Sequence, residues 1–563
     1  MRRRRRACRI SRSRELTAAA LLVILLAACT RGGAEGTASG DVDGDGYPAD
    51  PRRVPGLSAA APDTGPPELP RTLLDTRVPP PSGRRIAVAA GGDLQRALDS
   101  AQPGDVVMIA AGAEFVGPFV LPKKDGAKWI TIRSDARDDV LPPDGTRITP
   151  AYSPRLPKLV TRNSGPALRT APGAHHYRIF AVEIAGAASD ARNYGIAELG
   201  AGGRIQRGRE DIPHDLILDR VYLHGHRTLR TRRCLALNSA STAVIDSYLA
   251  DCHDRGFDSQ AIGGWNGPGP FKIVNNYLEG AGENVMFGGG DPGIHRLIPS
   301  DIEIRRNHFF KPLAWRGRWT VKNLFELKNA HRVLVEGNVF ENNWVDGQNG
   351  FALVFKSANQ DGGAPWSETR DVMVRRNRIV NSASGVDIMA QGSNIDTPAN
   401  HILLRDNVFE RIGGAELGGS GRLWQVTEDP FAITFDHNTG FAPRHLLMLD
   451  EPQKSHVVIS NNLVARGDYG IFGSGRGEGV VAINYFLPGG VVTHNVIIGA
   501  RAAIYPVGNF FPATPTDVGF VDFPRGDYRL APQSRYKRAA SDGRDIGADI
   551  DAVTNATAGV VIP

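Results

Sequence analysis

The chain has 563 residues, 41% hydrophobic and 22% charged, with 66 Lys and Arg against 60 Asp and Glu, a composition that excludes wholesale disorder. The first 29 residues hold eight Arg against the single acid Glu15, a surplus of seven, so the remainder carries −1 where the whole chain carries +6. The basic balance therefore belongs to the leader, and nucleic acid is not an expected partner of the body.

The leader places an Arg-rich stretch before the apolar run TAAALLVILLAA (17–28), which is too short to span a bilayer, and then Cys29. Leu26-Ala27-Ala28-Cys29 resembles the lipobox of bacterial lipoproteins. That resemblance implies removal of 1–29, acylation of Cys29, and a lipid-anchored protein of the cell envelope, at the outer membrane because Thr30 follows the Cys. Residues 30–85 are rich in Gly, Pro, Ala and Asp without an apolar period, and read as a flexible tether. Within them Asp41-x-Asp43-x-Asp45-Gly46 matches half a calcium loop, but its twelfth position is Arg52 where a bidentate Glu is needed. Cys234 and Cys252, the two cysteines outside the leader, suit a disulfide or two buried thiols.

GGDLQRALDSAQPGDVVMIAAG predicts a short amphipathic helix over 93–100, then a first strand. From about residue 214 the chain repeats. FKIVNNYLEG, DIEIRRNHFF, RVLVEGNVFE, DVMVRRNRIV, HILLRDNVFE, FAITFDHNTG, HVVISNNLVA and GVVTHNVIIG each set an alternating strand before an Asn and a short apolar strand after it. The Asn residues are 276, 307, 338, 377, 407, 438, 462 and 495. The period of 2 and the Val, Ile and Phe content exclude helical repeats. Asn suits such a corner by tolerating left-handed backbone angles and by bonding to the same Asn one coil away.

These features are similar to the pectin-lyase-like superfamily. The resemblance implies an all-β right-handed parallel β-helix over 86–530, of about eleven to twelve coils, capped by the 93–100 helix and closed by the tail 531–563. It also implies a groove along the strands RCLALNS, FDSQAIG, ENVMFGG, NLFELKN, GFALVFKS, GVDIMAQ, RLWQVTE and LLMLDE. Alternation makes Asn238, Asp258, Gln260, Asn284, Glu326, Lys328, Lys356, Asp387, Gln391, Gln425 and Asp450 outward-facing. Six of seven Trp (265, 315, 319, 344, 366 and 424) fall in the same stretch, and flat rings beside polar groups suit sugars. Asp258, Gln260, Trp265, Asn284, Trp344, Asp387 and Gln391 are thus the expected substrate-binding residues.

Glu326 and Lys328 lie two apart on one strand, with Lys356 one coil on. Two neighbouring ammonium groups depress each other's pKa, leaving one able to act as a base. This trio resembles the alginate lyase and chondroitinase B group, in which a Lys base, an Arg one coil later and carboxylate-bound calcium act together. The resemblance implies β-elimination of a uronic-acid polysaccharide with Lys328 as base and Lys356 and Glu326 in support. Any Ca2+ would fall to Glu326 and Asp387, although the group's Glu-x-Glu pair is reduced here to Glu326 alone. Two other readings stand beside it: a glycoside hydrolase using Glu326 and Asp387, and a non-catalytic glycan-binding or structural solenoid. The segment DCHDRGFDSQAIGGWNGPGP (251–270) adds His253 as a weaker candidate, with Glu283 and Asp291 as further metal ligands. The expected assembly is a monomer whose partner is an acidic polysaccharide.

Overall fold

The computed structural model describes residues 65–186, 192–203, 205–390 and 394–562. The leader, Cys29, residues 30–64 and Gln391 lie outside the described residues.

The chain winds into a parallel β-helix. Three sheets of 14, 13 and 13 strands run its length, each strand pairing with its equivalent one coil away. Sheet I carries the strands before the Asn corner, sheet II the short strands after it, and sheet III the strands that follow the next loop. The inner positions of all three fill one continuous lumen with stacked Leu, Ile, Val and Phe side chains. Phe309 stacks over Phe340 at 4.4 Å and Trp424 over Phe435 at 4.5 Å.

The corner between sheets I and II explains the Asn repeat. Asn276 accepts on its Oδ1 from the Ser247 N–H, and each later corner Asn accepts two hydrogen bonds there, from the backbone N–H and the Nδ2 of the Asn one coil before. Asn307 donates in this way to Asn338 at 2.9 and 3.0 Å, and Asn338 to Asn377 at the same distances. The second Nδ2 proton reaches a carbonyl of the preceding coil, as from Asn338 to Ile304 at 2.9 Å. The ladder continues past Asn495 to Asn509. The left-handed angle expected of the Asn belongs instead to the residue before it: Asn275, Arg306, Arg376, Asp406 and His437 all have φ between 52° and 57°. The Asn is selected by its amide, which spans three consecutive coils.

The N-terminal end is covered by the helix Leu94–Ser100, whose cap Asp93 accepts from the Arg96 N–H at 2.9 Å. Leu94, Ala97 and Leu98 close the lumen beneath it. Closure of the other end, expected of the tail, falls to the helix Val480–Phe486, which buries Ala482, Ile483 and Phe486. The tail turns back along the Asn corner. The N–H groups of Ser541, Gly547 and Asp549 donate to Asn461 Oδ1, the Asn461 carbonyl and Asp406 Oδ1. Arg306 reaches Ala556 O, and Arg147 reaches Val560 O at 2.9 Å. Arg147 is buried and also donates to Asn275 O and Arg306 O. Its removal leaves three carbonyls short of a donor, so Arg147→Ala is expected to weaken the docking of 550–562 by about 3 kcal/mol, read as faster limited proteolysis of that segment.

The tether expected over 30–85 ends sooner than its composition suggests. From Glu68 the chain lies against sheet I, with Glu68 N–H on Asp371 Oδ1 at 3.1 Å, Arg71 N–H on Asp301 Oδ1 at 2.9 Å and Lys272 Nζ on Leu74 O at 2.9 Å. Cys234 and Cys252 form a disulfide with Cα atoms 5.6 Å apart, joining sheet III to sheet II inside the core.

Candidate active site

The site is a patch of the outer face of sheet III. In the strand Asn323–Leu327, Leu324, Phe325 and Leu327 enter the core, so Glu326 and the following Lys328 face outward. Glu326 stands opposite Met286 on the coil before and Val354 on the coil after, and Val354 stands opposite Asp387. Glu326 is fully buried, and both its neighbouring cations close over it: Lys356 Nζ lies 3.1 Å from Oε1 and Lys328 Nζ 3.6 Å from Oε2. The lysine side chains retain 9% and 14% exposure, where Glu326 has none.

A second set of charges adjoins the first. Gln260 Nε2 donates to Glu283 Oε2 at 2.7 Å, Lys322 bonds Asp258 and lies 3.9 Å from Glu283 Oε1, and Asn323 Nδ2 donates to Gln348 Oε1 at 2.8 Å. Beneath them the fully buried Lys311 ammonium is held by the carbonyls of Gly280, Ala281 and Gly282. Farther along, Asp387 Oδ1 accepts from Gln425 Nε2 at 3.0 Å.

Electrostatics separates these groups. Burial pushes the Glu326 carboxyl up, but the Lys328 and Lys356 ammoniums outweigh it and leave Glu326 below the usual carboxylate range. Burial pushes Lys328 down, yet Glu326, Glu283 and Asp258 lift it above its ordinary value. The expected depression of a lysine by its like neighbour is therefore not what the geometry produces, because a carboxylate sits between the two ammoniums. Lys322 is likewise raised, with Glu283 and Asp258 overcoming its burial. Glu283 is raised by burial and by the like charges of Asp258 and Glu326. Asp387 is pushed up to about 7 by burial, which the Gln425 hydrogen bond and Lys356 offset only in part.

The residues singled out from the sequence divide sharply. Glu326, Lys328, Lys356, Asp258 and Gln260 come together, and Asp387 lies one further coil along the same wall. Trp265 borders the patch half-buried, with the Arg233 guanidinium 4.6 Å over its ring. Asn284 does not face outward. Its Nδ2 donates to the carbonyls of Leu278 and Phe310 at 2.6 and 2.9 Å, bracing the bend between sheets II and III. Strict alternation fails at the head of each strand, where two successive residues enter the core (Ala261 and Ile262, Leu324 and Phe325, Ala352 and Leu353). The outward position is thus Glu283 rather than Asn284. Asn238 is also structural, its Oδ1 accepting from the N–H groups of Trp265 and Asn266.

Trp344 is no sugar platform: it is buried with Trp315, Trp319, Val321 and Leu417 in a small apolar cluster under the loops. His253 stacks on Trp319 at 3.9 Å, and burial drives its pKa down to about 4, which leaves it neutral and enclosed. Trp424 lies in the lumen, and Trp366 Nε1 donates to Leu297 O. Asp291 accepts from the N–H groups of Gln360 and Gly363, so it ties a loop rather than joining Glu283. Lys322, Asn323 and Gln348 were legible only once the strand heads were placed, since Lys322 precedes its strand.

The donor set does not suit Ca2+. Glu326 and Asp387 are two coils apart, roughly 9.6 Å, whereas one ion needs six to eight oxygens at about 2.3–2.6 Å. Two ammonium groups already occupy the oxygens of Glu326. What the arrangement offers is a line of lysine cations fixed by a buried counter-charge, beside a carboxyl that changes protonation state near neutrality.

No protein-family model matches this chain, and no curated protein matches it. Similar solved structures include the PL6 family alginate lyase AlyGC, at 14% identity and TM-score 0.46 over 85% of this chain and 59% of that one. An alginate lyase from Paenibacillus sp. str. FPU-7 is similar at 13% identity and TM-score 0.31, over 73% of this chain and 99% of that one. A GH87 alpha-1,3-glucanase from Streptomyces thermodiastaticus strain HF3-3 is similar at 10% identity and TM-score 0.43, over 78% and 71%. The chain is a parallel β-helix on the strength of its own strand pairing, coil against coil along three sheets.

Proposed function

We propose that this protein cleaves a uronic-acid-containing polysaccharide by β-elimination on the outer face of sheet III. The observation that carries this reading is the buried Glu326 clamped between Lys328 and Lys356, next to an Asp387 held near its point of half-ionisation. β-Elimination requires a cation at the uronate carboxylate, where enolate-like charge develops, and a base for the C5 proton. Lys356 and Lys328 supply the cation. Lys328 stays protonated because Glu326, Glu283 and Asp258 favour its ammonium form, and Glu326 holds both ammonium groups without reaching solvent itself. Asp387, ionised above about pH 7, is the base in this scheme, in place of Lys328: it takes the C5 proton, the C4–O bond breaks as the C4=C5 double bond forms, and the departing O4 oxygen takes a proton from water. Lys322, at the head of the Glu326 strand, and Asp258, two coils earlier, extend the charged wall and hold a neighbouring sugar.

The test is incubation of the purified protein with alginate, glycosaminoglycan and pectic polymers. Unsaturated products absorbing in the ultraviolet are expected from one of these classes, and Lys356→Ala is expected to lower their rate of formation at least about a hundredfold. Absence of such products from every acidic polymer defeats the lyase reading.

One observation favours a second reading. Glu326 is held ionised while Asp387 is raised, the split that an inverting glycosidase needs, and their two-coil backbone spacing of roughly 9.6 Å is close to the largest carboxyl separation such enzymes use. Its product is a new reducing end without ultraviolet absorbance. A purely binding solenoid yields neither product. The same proposal places the protein at the bacterial outer membrane as a monomer anchored through acylated Cys29. It is checked by incorporation of labelled palmitate that Cys29→Ala abolishes.

A further inference from the structure

A group of imidazoles lies apart from sheet III, at the head of two consecutive strands of sheet I, His175–Phe180 and His214–Asp219. The backbone makes the same excursion in both coils: His176 and Asp215 have φ of 59° and 52°, each one residue after the paired His175 and His214. This left-handed step turns the second side chain of each coil outward, toward its counterpart. The result is a compact run of donor atoms. His214 Nδ1 is 2.6 Å from Asp215 Oδ2, that oxygen is 3.9 Å from His176 Nδ1, and His176 Nδ1 is 2.8 Å from His175 Nδ1. One ligand atom each from His176, His214 and Asp215 falls within 4.8 Å of the others. The rings of His175 and His214 stack at 4.8 Å with 10° between their planes, and Trp129 packs on His176 at 5.3 Å.

We propose that His176, His214 and Asp215, with His175 as a fourth ligand, bind a borderline divalent transition-metal ion of the zinc type. A tetrahedral ion with bonds of about 2.0–2.1 Å sets its donors roughly 3.3 Å apart, and the distances here bracket that value. Three imidazoles with one carboxylate are the donors such ions prefer, and Ca2+ and Mg2+, which take oxygen ligands, are excluded. The side chains of His176, Asp215 and His214 are 19%, 36% and 41% exposed, so the group is reachable from solvent. Farther along sheet I, the corresponding steps at Asp301 and Arg332 are closed by a direct ion pair at 2.8 Å. Here His175, His176, His214 and Asp215 meet at the step, and the metal ion does between two coils what the Asp301–Arg332 pair does farther along.

The experiment is a titration of chelator-stripped protein with Zn2+ by calorimetry, with Co2+ absorption spectra reporting the coordination. One equivalent is expected to bind, Co2+ to give the intense visible bands of four-coordinate geometry, and the melting temperature to rise with Zn2+. The doubly substituted His176→Asn, His214→Ala protein is expected to bind at least about a hundredfold more weakly. Asn is used at 176 because it tolerates the left-handed angle, and circular dichroism checks that the variant is folded. His456→Ala, on a distant coil, is expected to bind normally. Failure of the stripped protein to take up Zn2+ or Co2+ overturns the proposal, as does unchanged stoichiometric binding by the double variant. Neither outcome touches Lys328, Lys356 or Asp387, so the site stands or falls separately from the polysaccharide reading.

Discussion

Asn338→Ala is expected to destabilise the β-helix by about 4 kcal/mol, measured by urea unfolding, although it removes only a small side chain. The amide is fully buried and serves three coils. Its Oδ1 accepts from the N–H and Nδ2 of Asn307, and its Nδ2 donates to Ile304 O and Asn377 Oδ1. Truncation takes the acceptor from the N–H and Nδ2 of Asn307 and a donor from Ile304 O, while Asn377 Oδ1 keeps only the backbone N–H of residue 338, and each buried group left unpaired costs about 1–3 kcal/mol. Asn509→Ala is the contrast. That residue ends the ladder and is partly accessible to water, so its removal is expected to cost about 1 kcal/mol. Equal losses at the two positions would mean that the ladder contributes nothing beyond side-chain packing.

Asp387→Asn is expected to lower the turnover of an accepted uronate polymer by about two to four orders of magnitude while leaving KM nearly unchanged. Wild-type activity should climb with pH and level off above about 7. The sign follows from the direction of the shift: burial raises the carboxyl to about 7, the base must be ionised to take a proton, and below that pH it is increasingly protonated. Activity should therefore fall roughly tenfold for each pH unit on the acid side. A profile that instead keeps rising beyond pH 10 returns the role of base to Lys328, whose neighbours hold it protonated well into the alkaline range.

The fold was legible because its two strongest constraints are local. A period of 2 bounded by Asn every thirty or so residues leaves few alternatives to stacked coils, and the convergence of Glu326, Lys328 and Lys356 follows from the same register. What alternation could not supply was the head of each strand, where a second inward residue shifts the phase and exchanges Asn284 for Glu283. Protonation states were hidden for a different reason. Whether two lysines repel or are reconciled depends on what lies between them, and the carboxylate of Glu326 enters that gap only in three dimensions. The tryptophans misled because ring chemistry is the same in a sugar subsite and in the loop core of Trp315, Trp319 and Trp344. Sequence also gave no sign that Lys322 would reach Asp258 across a coil, since the two are 64 positions apart.

The two returning segments change how such a cylinder can come apart. A stack of coils held only by its neighbours frays from either tip and loses one turn at a time. Here the chain before the first coil crosses to Asp301 and Asp371, and the chain after the last travels back to Arg306 and Arg147. Tension applied at either terminus therefore meets bonds to the middle of the molecule before it reaches an end coil. Under load the protein should shed its outer straps first and keep the lysine-lined wall intact until they are gone.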